Sequence, residues 1–406
     1  MNHRARTLSI GSPADLDAEL EAANVTEYGI ARMVPRGRMI IMRLEKVPGK
    51  AANLMKQHML AAGGDVAVGE QVAGFDDTPA PVIVLGTREH YHHLMANLAM
   101  QPFGLKKIAE EMARTLQNTD STPAPIRCGD RELRFDHRTL VMGIINATPD
   151  SFSGDGLKGD VEAAVEQARE FVSAGVDILD IGGESTRPGS EEVPIDKEIE
   201  LVTPTIEAII SELDVPVSID TSKPEVARHA VGMGASFIND VYGLRRDGMI
   251  QAVAETGCGV CIMHMLGEPR TMQENPTYED LITDIYDFLA RRVEAAVEGG
   301  VEESQIIIDP GFGFGKTVDH NLEIVRRLRE FRSMGRPVLI GASRKSTIGR
   351  VLDIPDPQER LWGTAALNAV AITTGADIIR VHDVAEMTQV ARMTDAVLRG
   401  SGEAQQ

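Results

Sequence analysis

The sequence predicts a (β/α)8 barrel of the TIM-barrel type, preceded by a small α/β or α+β domain. Eight short apolar segments between residues 139 and 383 each end in polar residues. Stretches of helical length separate most of these segments. A barrel of this kind takes ~250 residues, so a chain of 406 has room for a second domain. Because the carboxyl ends of barrel strands form the active-site face, the repeat also predicts where a site lies.

The eight segments begin with residues that suit a buried parallel strand and then break at a polar tip. In chain order they are TLVMGIINATPDS, VDILDIGGEST, VPVSIDTSK, ASFINDV, GVCIMHM, QIIIDPGFGFGK, PVLIGASRKS and DIIRVHDV. The residues at their tips are Asn146, Glu184, Asp220, Asn239, His264, Asp309, Lys345 and the pair Arg380 and His382. We expect these side chains to meet at one end of the barrel.

We predict a small N-terminal domain over residues 1–118, a linker over 119–135 and the barrel over 136–400. The run QNTDSTPAPIRCGD is rich in Pro, Ser, Thr and Asp and lacks periodicity, which indicates a linker. Before it, PADLDAELEAAN, AANLMKQHMLAAG and REHYHHLMANLAM suggest helices, the last continuing after Pro102. GRMIIMRLEKV, DVAVG and PVIVLGT suggest strands. No motif predicts a role for this domain.

The net charge of −20 argues against a partner such as nucleic acid or an anionic membrane, because both would repel the protein. No apolar run approaches the ~18 residues of a membrane span, and the N-terminus lacks the apolar core of a signal peptide. We therefore expect a soluble, cytoplasmic protein. Cys258 and Cys261 form a C-x-x-C spacing, but their place at the start of a predicted strand favours buried residues over a redox or zinc pair.

The glycine-rich run PGFGFGKT after the sixth strand invites comparison with phosphate-binding loops. It fails the P-loop pattern, because Pro310 stands where that motif needs glycine. We interpret it as a loop in which glycines let the backbone approach a flat ligand. Phe314 could stack on that ligand or simply pack within the loop.

Four strand-tip residues suit a planar heterocycle: Asp220, Asn239, Asp309 and Lys345. A carboxylate accepts two N–H bonds from a guanidine-like ring edge, and a lysine donates to a ring carbonyl or nitrogen. The alternative is a purely structural ring of ion pairs.

The first and last strands are neighbours in a closed barrel, which predicts that Asn146 lies near Arg380 and His382. Such a group suits a phosphate-like anion, with Asn146 able to bind Mg²⁺ beside it. The alternative for Arg380 is a salt bridge to Asp383. The loops TPDSFSGDG and STRPGSEEVP look like mobile covers, and the second carries Thr186-Arg187-Pro188.

Nine segments, taken together and in order, resemble the dihydropteroate synthase family: MGIINATPDSFSGDG, DIGGESTRPGS, SIDTSKPEVA, INDVYGL, MHMLGEPRTMQENPTY, DPGFGFGKTVDHN, GASRKS, RLWGTAA and RVHDV. The resemblance covers about residues 138–400. It implies a transferase of folate biosynthesis that joins 4-aminobenzoate to 6-hydroxymethyl-7,8-dihydropterin diphosphate and releases pyrophosphate. It also implies Mg²⁺ as cofactor, a homodimer, and sulfonamides as competitors of 4-aminobenzoate.

The resemblance also distributes the site residues. The pterin pocket falls to Asp220, Asn239, Met263, Asp309 and Lys345. The diphosphate and Mg²⁺ fall to Asn146, with Arg380 and His382 binding the anion. The 4-aminobenzoate site falls to Thr186, Arg187, Pro188, Phe314 and Ser346, closed by the loop that holds Phe152. The residues expected to be catalytic are Asp220, Asp309, Lys345, Arg380 and His382.

Two departures from the family and two rival functions stay open. The first loop reads NATPDSFSGDG rather than NVTPDSFSDGG, so Ala147 replaces Val and the acidic residue moves to Asp155. One rival is a pterin-binding methyltransferase barrel, although the anion pair of Arg380 and His382 favours the synthase because methyl transfer releases no diphosphate. The other is an inactive barrel with a scaffold or regulatory role.

Overall fold

The computed structural model describes residues 3–74, 76–147, 160–184, 192–269 and 271–400. The chain divides into two compact units, residues 1–117 and residues 118–406. In the part of the chain that the structure describes, no helix combines the length and the apolar character needed to cross a membrane.

The second unit is a parallel eight-stranded barrel, which confirms the predicted fold class. Its strands are β6 (Leu140–Asn146), β7 (Ile178–Gly182), β8 (Val217–Asp220), β9 (Phe237–Asp240), β10 (Gly259–Met263), β11 (Ile306–Asp309), β12 (Leu339–Ile340) and β13 (Ile378–Val381). The order around the sheet is β11-β10-β9-β8-β7-β6-β13-β12. A parallel bridge between Ile308 and Val338 brings its two ends together.

Helices follow the strands and cover the barrel. They are α7 (Val161–Ser173), α8 (Ile195–Glu212), α9 (Pro224–Gly232), α10 (Met249–Thr256), α11 (Leu281–Glu298), α12 (Val318–Arg326), α13 (Ser346–Leu352), α14 (Leu361–Thr374) and α15 (Val384–Arg399). Strand residues such as those of β7 and β11 are buried throughout, as expected where helices cover one face and the barrel core the other.

Strand register aligns several predicted site residues. Asn146 of β6 pairs with Gly182 of β7, Gly182 pairs with Asp220 of β8, and Asp220 pairs with Asn239 of β9. Met263 of β10 pairs with Asp309 of β11 in the same way. These residues therefore lie at the carboxyl ends of adjacent strands, where the sequence predicted a site.

The segment expected as a linker contains a β-hairpin. Strands β4 (Ile126–Cys128) and β5 (Arg131–Leu133) pair antiparallel. Their apolar side chains join a buried cluster with residues near the amino ends of the barrel strands, among them Leu140, Ile178 and Phe237. Gln305 exchanges two hydrogen bonds of 2.9 Å with the backbone of Arg127. The hairpin is thus part of the barrel core.

The first unit is an α+β domain with an antiparallel sheet in the order β1-β3-β2. Its elements are α1 (Pro13–Ala22), α2 (Glu27–Met33), β1 (Met39–Val47), α3 (Gly49–Ala62), β2 (Asp65–Ala67), α4 (Glu70–Ala73), β3 (Ala80–Thr87), α5 (Arg88–Leu98) and α6 (Leu105–Asp120). Gly63 has φ +100° and ends α3. Phe103 and Gly104 also have positive φ, and they lie in the interruption between α5 and α6.

Candidate active site

Four buried or half-buried polar side chains form a connected network inside the carboxyl end of the barrel. The Nε atom of Arg380 donates to Oδ2 of Asp180 at 2.6 Å, and a terminal nitrogen of Arg380 donates to Oδ2 of Asp220 at 2.8 Å. Asn239 donates its amide to the same oxygen of Asp180 at 2.9 Å. Asp180 is fully buried and so holds both Arg380 and Asn239 in fixed orientations.

Asp220 and Asp309 both lie where ionisation is costly. Burial raises the pKa of Asp220 to about 7, although the positive charge of Arg380 opposes that rise and the charge of Asp180 adds to it. Burial also raises the pKa of Asp309, and Lys345 opposes it. Oδ1 of Asp309 accepts a hydrogen bond from the backbone N–H of Gly311 at 2.6 Å. Perturbed carboxyl groups in one cavity are typical of a functional site.

Lys345 supplies the positive charge expected beside these acids. Its ammonium contacts the carbonyl of Phe312 and lies 4.4 Å from the centre of the Phe314 ring. Burial lowers the pKa of Lys345 to about 7, while the charge of Asp309 opposes that change. The carbonyl and the aromatic face both favour the charged form locally.

The glycine-rich loop lies directly on neighbouring parts of the barrel. Gly311 has φ +72°, and a β-carbon there would lie 1.8 Å from the carbonyl oxygen of His264. Gly313 has φ +85°, and a β-carbon there would lie 2.9 Å from the side chain of Lys345. Glycine is therefore required at both positions by conformation and by space.

Met263 and Phe314 contribute the apolar part of the site. Met263 is buried in a cluster with Val241, Met265 and Met272, and Phe314 packs against that cluster. Methionine side chains and an aromatic ring form a surface that suits a flat ligand. Ser346, the first residue of α13, is exposed beside Lys345.

The residues predicted to bind the anion make more contacts with other protein groups than the sequence indicated. Arg380 bonds to Asp180 and Asp220, and Asp383 instead pairs with Arg344, whose Nε donates to Asp383 at 3.1 Å. The alternative salt bridge between Arg380 and Asp383 is therefore absent. Nδ1 of His382 lies 2.9 Å from the hydroxyl of Ser343, which fixes the imidazole ring. Asn146 ends β6, which pairs with β13.

Glu184, the tip residue after the second strand, has a structural partner. The buried ammonium of Lys223 donates to Glu184 at 2.6 Å, to Glu198 at 2.5 Å and to the carbonyl of Val193 at 2.6 Å. All three donors of the lysine are thus satisfied. Phe152, Thr186, Arg187, Pro188 and the displaced acid Asp155 lie outside the described residues.

The sequence reasoning missed Asp180. This residue lies in the middle of β7 rather than at its tip, so a rule that looks only at strand ends passes over it. A charged residue inside the apolar run VDILDIG was the available signal, because a buried charge needs a partner. Oδ1 of Asp180 makes no hydrogen bond among the described atoms.

Comparison with known proteins agrees with this geometry. Residues 142–382 match the family described as pterin binding enzyme, so the barrel defines a pterin-binding enzyme. The dihydropteroate synthase of Synechocystis sp. is 46% identical over 284 residues, a match that covers 70% of this chain and 98% of the relative. The chain therefore belongs to the dihydropteroate synthase family.

A solved structure shows the same barrel. The dihydropteroate synthase from Xanthomonas albilineans in complex with 7,8-dihydropteroate superposes with a TM-score of 0.61 and 39% sequence identity. The superposition covers 68% of this chain and 99% of that one. The chain is longer than this relative, and the barrel unit begins at residue 118.

One relative extends into the first unit. The probable bifunctional folylpolyglutamate synthase/dihydropteroate synthase of Haloferax volcanii is 39% identical over 383 residues. The match covers 92% of this chain and 45% of that longer protein. A match of this extent includes most of the residues before 118, so the first unit has a counterpart there.

Proposed function

We propose that this chain condenses 6-hydroxymethyl-7,8-dihydropterin diphosphate with 4-aminobenzoate, forming 7,8-dihydropteroate and pyrophosphate. The observation that carries the proposal is the network at the carboxyl end of the barrel. Two buried carboxyl groups, an oriented amide and an ammonium of lowered pKa lie at or just after the carboxyl ends of β8, β9, β11 and β12. This set of donors and acceptors suits the guanidine-like edge and ring carbonyl of a pterin.

Each group has a separate task in pterin recognition. Asp220 and Asp309 accept hydrogen bonds from N–H groups of the pterin. Asn239 forms a hydrogen bond with a ring nitrogen, and Lys345 donates to a ring acceptor. Met263 packs on the flat face of the ring. Because Asp180 holds Asn239 and Arg380 in place, the pocket is oriented before the substrate binds, which lowers the cost of ordering it.

The reaction breaks the C–O bond between the pterin methylene carbon and the diphosphate. The C–N bond forms from the amine of 4-aminobenzoate, and one amine proton leaves to solvent. The electron-rich dihydropterin delocalises positive charge at the methylene, which Asp220 and Asp309 stabilise by their negative charge. The arylamine is already neutral near pH 7, so its attack requires orientation rather than a strong base. Orientation of this kind is worth up to ~7–11 kcal/mol.

We assign the departing pyrophosphate to Arg380 on β13 and His382 just after it, beside the strand that ends in Asn146. Among the described residues, no group of three or more His, Cys, Asp or Glu side chains is placed to hold a metal ion. A single amide oxygen suits Mg²⁺ when substrate phosphates and water complete the octahedral set. When bound there, Mg²⁺ would neutralise charge on the leaving group.

The decisive experiment combines purified protein, Mg²⁺, the pterin diphosphate and labelled 4-aminobenzoate. We expect labelled dihydropteroate from the wild type and none above background from Lys345→Ala or Asp309→Ala, with the fold retained by circular dichroism. An exposed lysine on α8, Lys197, provides the matched control Lys197→Ala. Near-normal turnover in either pocket variant would refute the pocket assignment. A sulfonamide should raise the KM for 4-aminobenzoate without raising the KM for the pterin diphosphate.

We also propose a cytoplasmic homodimer. The helices α14 and α15 pack on each other and expose large apolar side chains, including Trp362, Met393 and Val397. Exposed apolar surface on adjacent helices favours association with a second copy. Light scattering should give twice the chain mass for the wild type and a monomer for Val397→Glu. The matched control is Val297→Glu on α11, which should remain a dimer; a monomeric wild type would contradict the proposal.

A further inference from the structure

The amine of Lys316, at the end of the glycine-rich loop, is buried without an acid in contact. Its side chain is 2% exposed. The Nζ atom donates to the carbonyl oxygen of Phe314 at 3.0 Å and lies 2.9 Å from Nδ1 of His264. Both of these partners are neutral groups.

Burial of this kind is expensive and therefore needs an explanation. Burial lowers the pKa of Lys316 well below its ordinary value, and it lowers the pKa of His264 to about 2. The pair thus avoids placing two positive charges side by side. Among the described contacts, neither residue forms a hydrogen bond or ion pair with Asp220 or Asp309, although the negative charge of Asp309 opposes the lowered pKa of Lys316. Their contacts instead join two segments of the chain.

The two segments are the loop 310–316 and the end of the fifth barrel strand. His264 follows β10, and its ring packs edge-on against Phe288 with centres 4.9 Å apart. Gly311 and Gly315 allow the loop backbone to lie directly on residues 264–266, since β-carbons there would meet His264 and Leu266 at less than 3 Å. From the loop, the side chain of Lys316 reaches His264 and adds a hydrogen bond to this backbone contact.

The loop in turn holds two groups of the site. The carbonyl that Lys316 binds belongs to Phe314, whose ring lies 4.4 Å from the ammonium of Lys345. The carbonyl of Phe312 in the same loop accepts from that ammonium. A shift of the loop would therefore move Phe314 and change the surroundings of Lys345.

We propose that Lys316 is a positioning residue of the synthase reaction. Its buried amine ties the loop to His264 at the tip of the fifth strand and so sets the Phe314 ring that the arylamine meets. This inference rests on the proposed function, because the role of Phe314 does. It also gives a task to His264, the tip residue of the fifth strand, to which the family resemblance assigned no role.

The test compares four variants of the full-length protein. Lys316→Met keeps a flexible apolar stem of similar length and removes both hydrogen bonds. His264→Phe keeps an aromatic ring against Phe288 and removes the nitrogen partner alone. The double variant combines them, and Lys197→Met removes one positive charge from an exposed helix. Initial rates are measured against each substrate separately, and thermal unfolding is recorded for every variant.

We expect Lys316→Met to raise the KM for 4-aminobenzoate about tenfold, the usual scale for losing buried hydrogen bonds, with the KM for the pterin diphosphate nearly unchanged. His264→Phe should give a smaller rise, because the bond to Phe314 remains. The double variant should be no worse than Lys316→Met, since both changes cut one connection. Lys197→Met should match the wild type.

Several results would overturn the inference. One is an unchanged KM for 4-aminobenzoate in Lys316→Met. Another is an equal rise in the KM of both substrates together with a lower unfolding temperature, because a general scaffold role predicts that result. If Lys316→Met fails to fold, an unaltered KM in His264→Phe decides against the inference. A wild type that forms no product refutes the proposed function itself, so the two failures are distinguishable.

Discussion

Replacing Asp180 with Asn should move the acid side of the pH–activity profile to lower pH. The substitution preserves shape, and the amide oxygen can take the place of Oδ2, which accepts the bonds from both Arg380 and Asn239. The lost property is the negative charge. That charge adds to the raised pKa of Asp220, which burial brings to about 7.

The size of the shift follows from the geometry. Asp180 and Asp220 bind different nitrogens of one guanidinium group. Carboxylates in that arrangement are about 5 Å apart, and at an effective dielectric constant of about 20 they repel by roughly 3 kcal/mol. One pKa step corresponds to ~1.4 kcal/mol, so the pKa of Asp220 should fall by about two. In the variant Asp180 no longer shares the positive charge of Arg380, so this charge lowers the pKa of Asp220 further.

The assay is kcat/KM for the pterin diphosphate between about pH 4 and pH 9, which reports ionisations of the free enzyme. The proposed function has the pterin bind ionised Asp220, so the rate should rise with pH as Asp220 loses its proton, near pH 7 in the wild type. In Asp180→Asn the rise should occur near pH 5, which broadens the profile on its acid side. Asp196→Asn, an exposed carboxylate on α8, is the charge control. An acid limb that stays near pH 7 in a folded Asp180→Asn protein would refute the reasoning.

Three further predictions concern Lys345, the hairpin and the surface charge. The proposed role of Lys345 predicts that wild-type activity falls as its ammonium loses a proton near pH 7. In Lys345→Arg, which stays charged above pH 12, this fall should vanish from the pH profile, and a fall at the same pH would contradict the assignment. A chain that begins at residue 136 should have a lower urea midpoint than one that begins at residue 118, because each buried apolar side chain of the hairpin contributes roughly 1.5–3 kcal/mol. Raising NaCl from 0.1 M to 1 M should raise the urea midpoint, because the net charge of −20 repels itself and the screening length falls from about 10 Å to about 3 Å.

The sequence predicted the barrel because its signal is local and repeated. An apolar run that ends in a polar residue reports one strand and one orientation, and eight of them report the face on which the polar residues meet. Asp220, Asn239, Asp309 and Lys345 lie together on that face for this reason. Their partners were harder to predict, because a pair such as Arg380 and Asp180 is separated by 200 positions in the chain.

Two other features were beyond the sequence rules for physical reasons. The hairpin β4–β5 has strands of three residues each, too short for an alternating pattern to rise above a segment rich in Pro and Ser. Lys316 was considered only as part of a phosphate loop, and its actual role depends on a contact with His264, 52 residues away. A strand of three residues produces no recognisable sequence pattern, and neither does a contact between neutral side chains that are far apart in the chain.

The surroundings of Lys345 make it chemically distinct from other lysines. With a pKa of about 7, half of this amine is unprotonated in neutral buffer, whereas an ordinary lysine of pKa ~10.4 is unprotonated in roughly one molecule of 2,500. An acylating reagent at low concentration should therefore label Lys345 ahead of the lysines on the protein surface. Since a bound pterin would cover the amine, the extent of labelling measured by mass spectrometry becomes a direct count of occupied pockets.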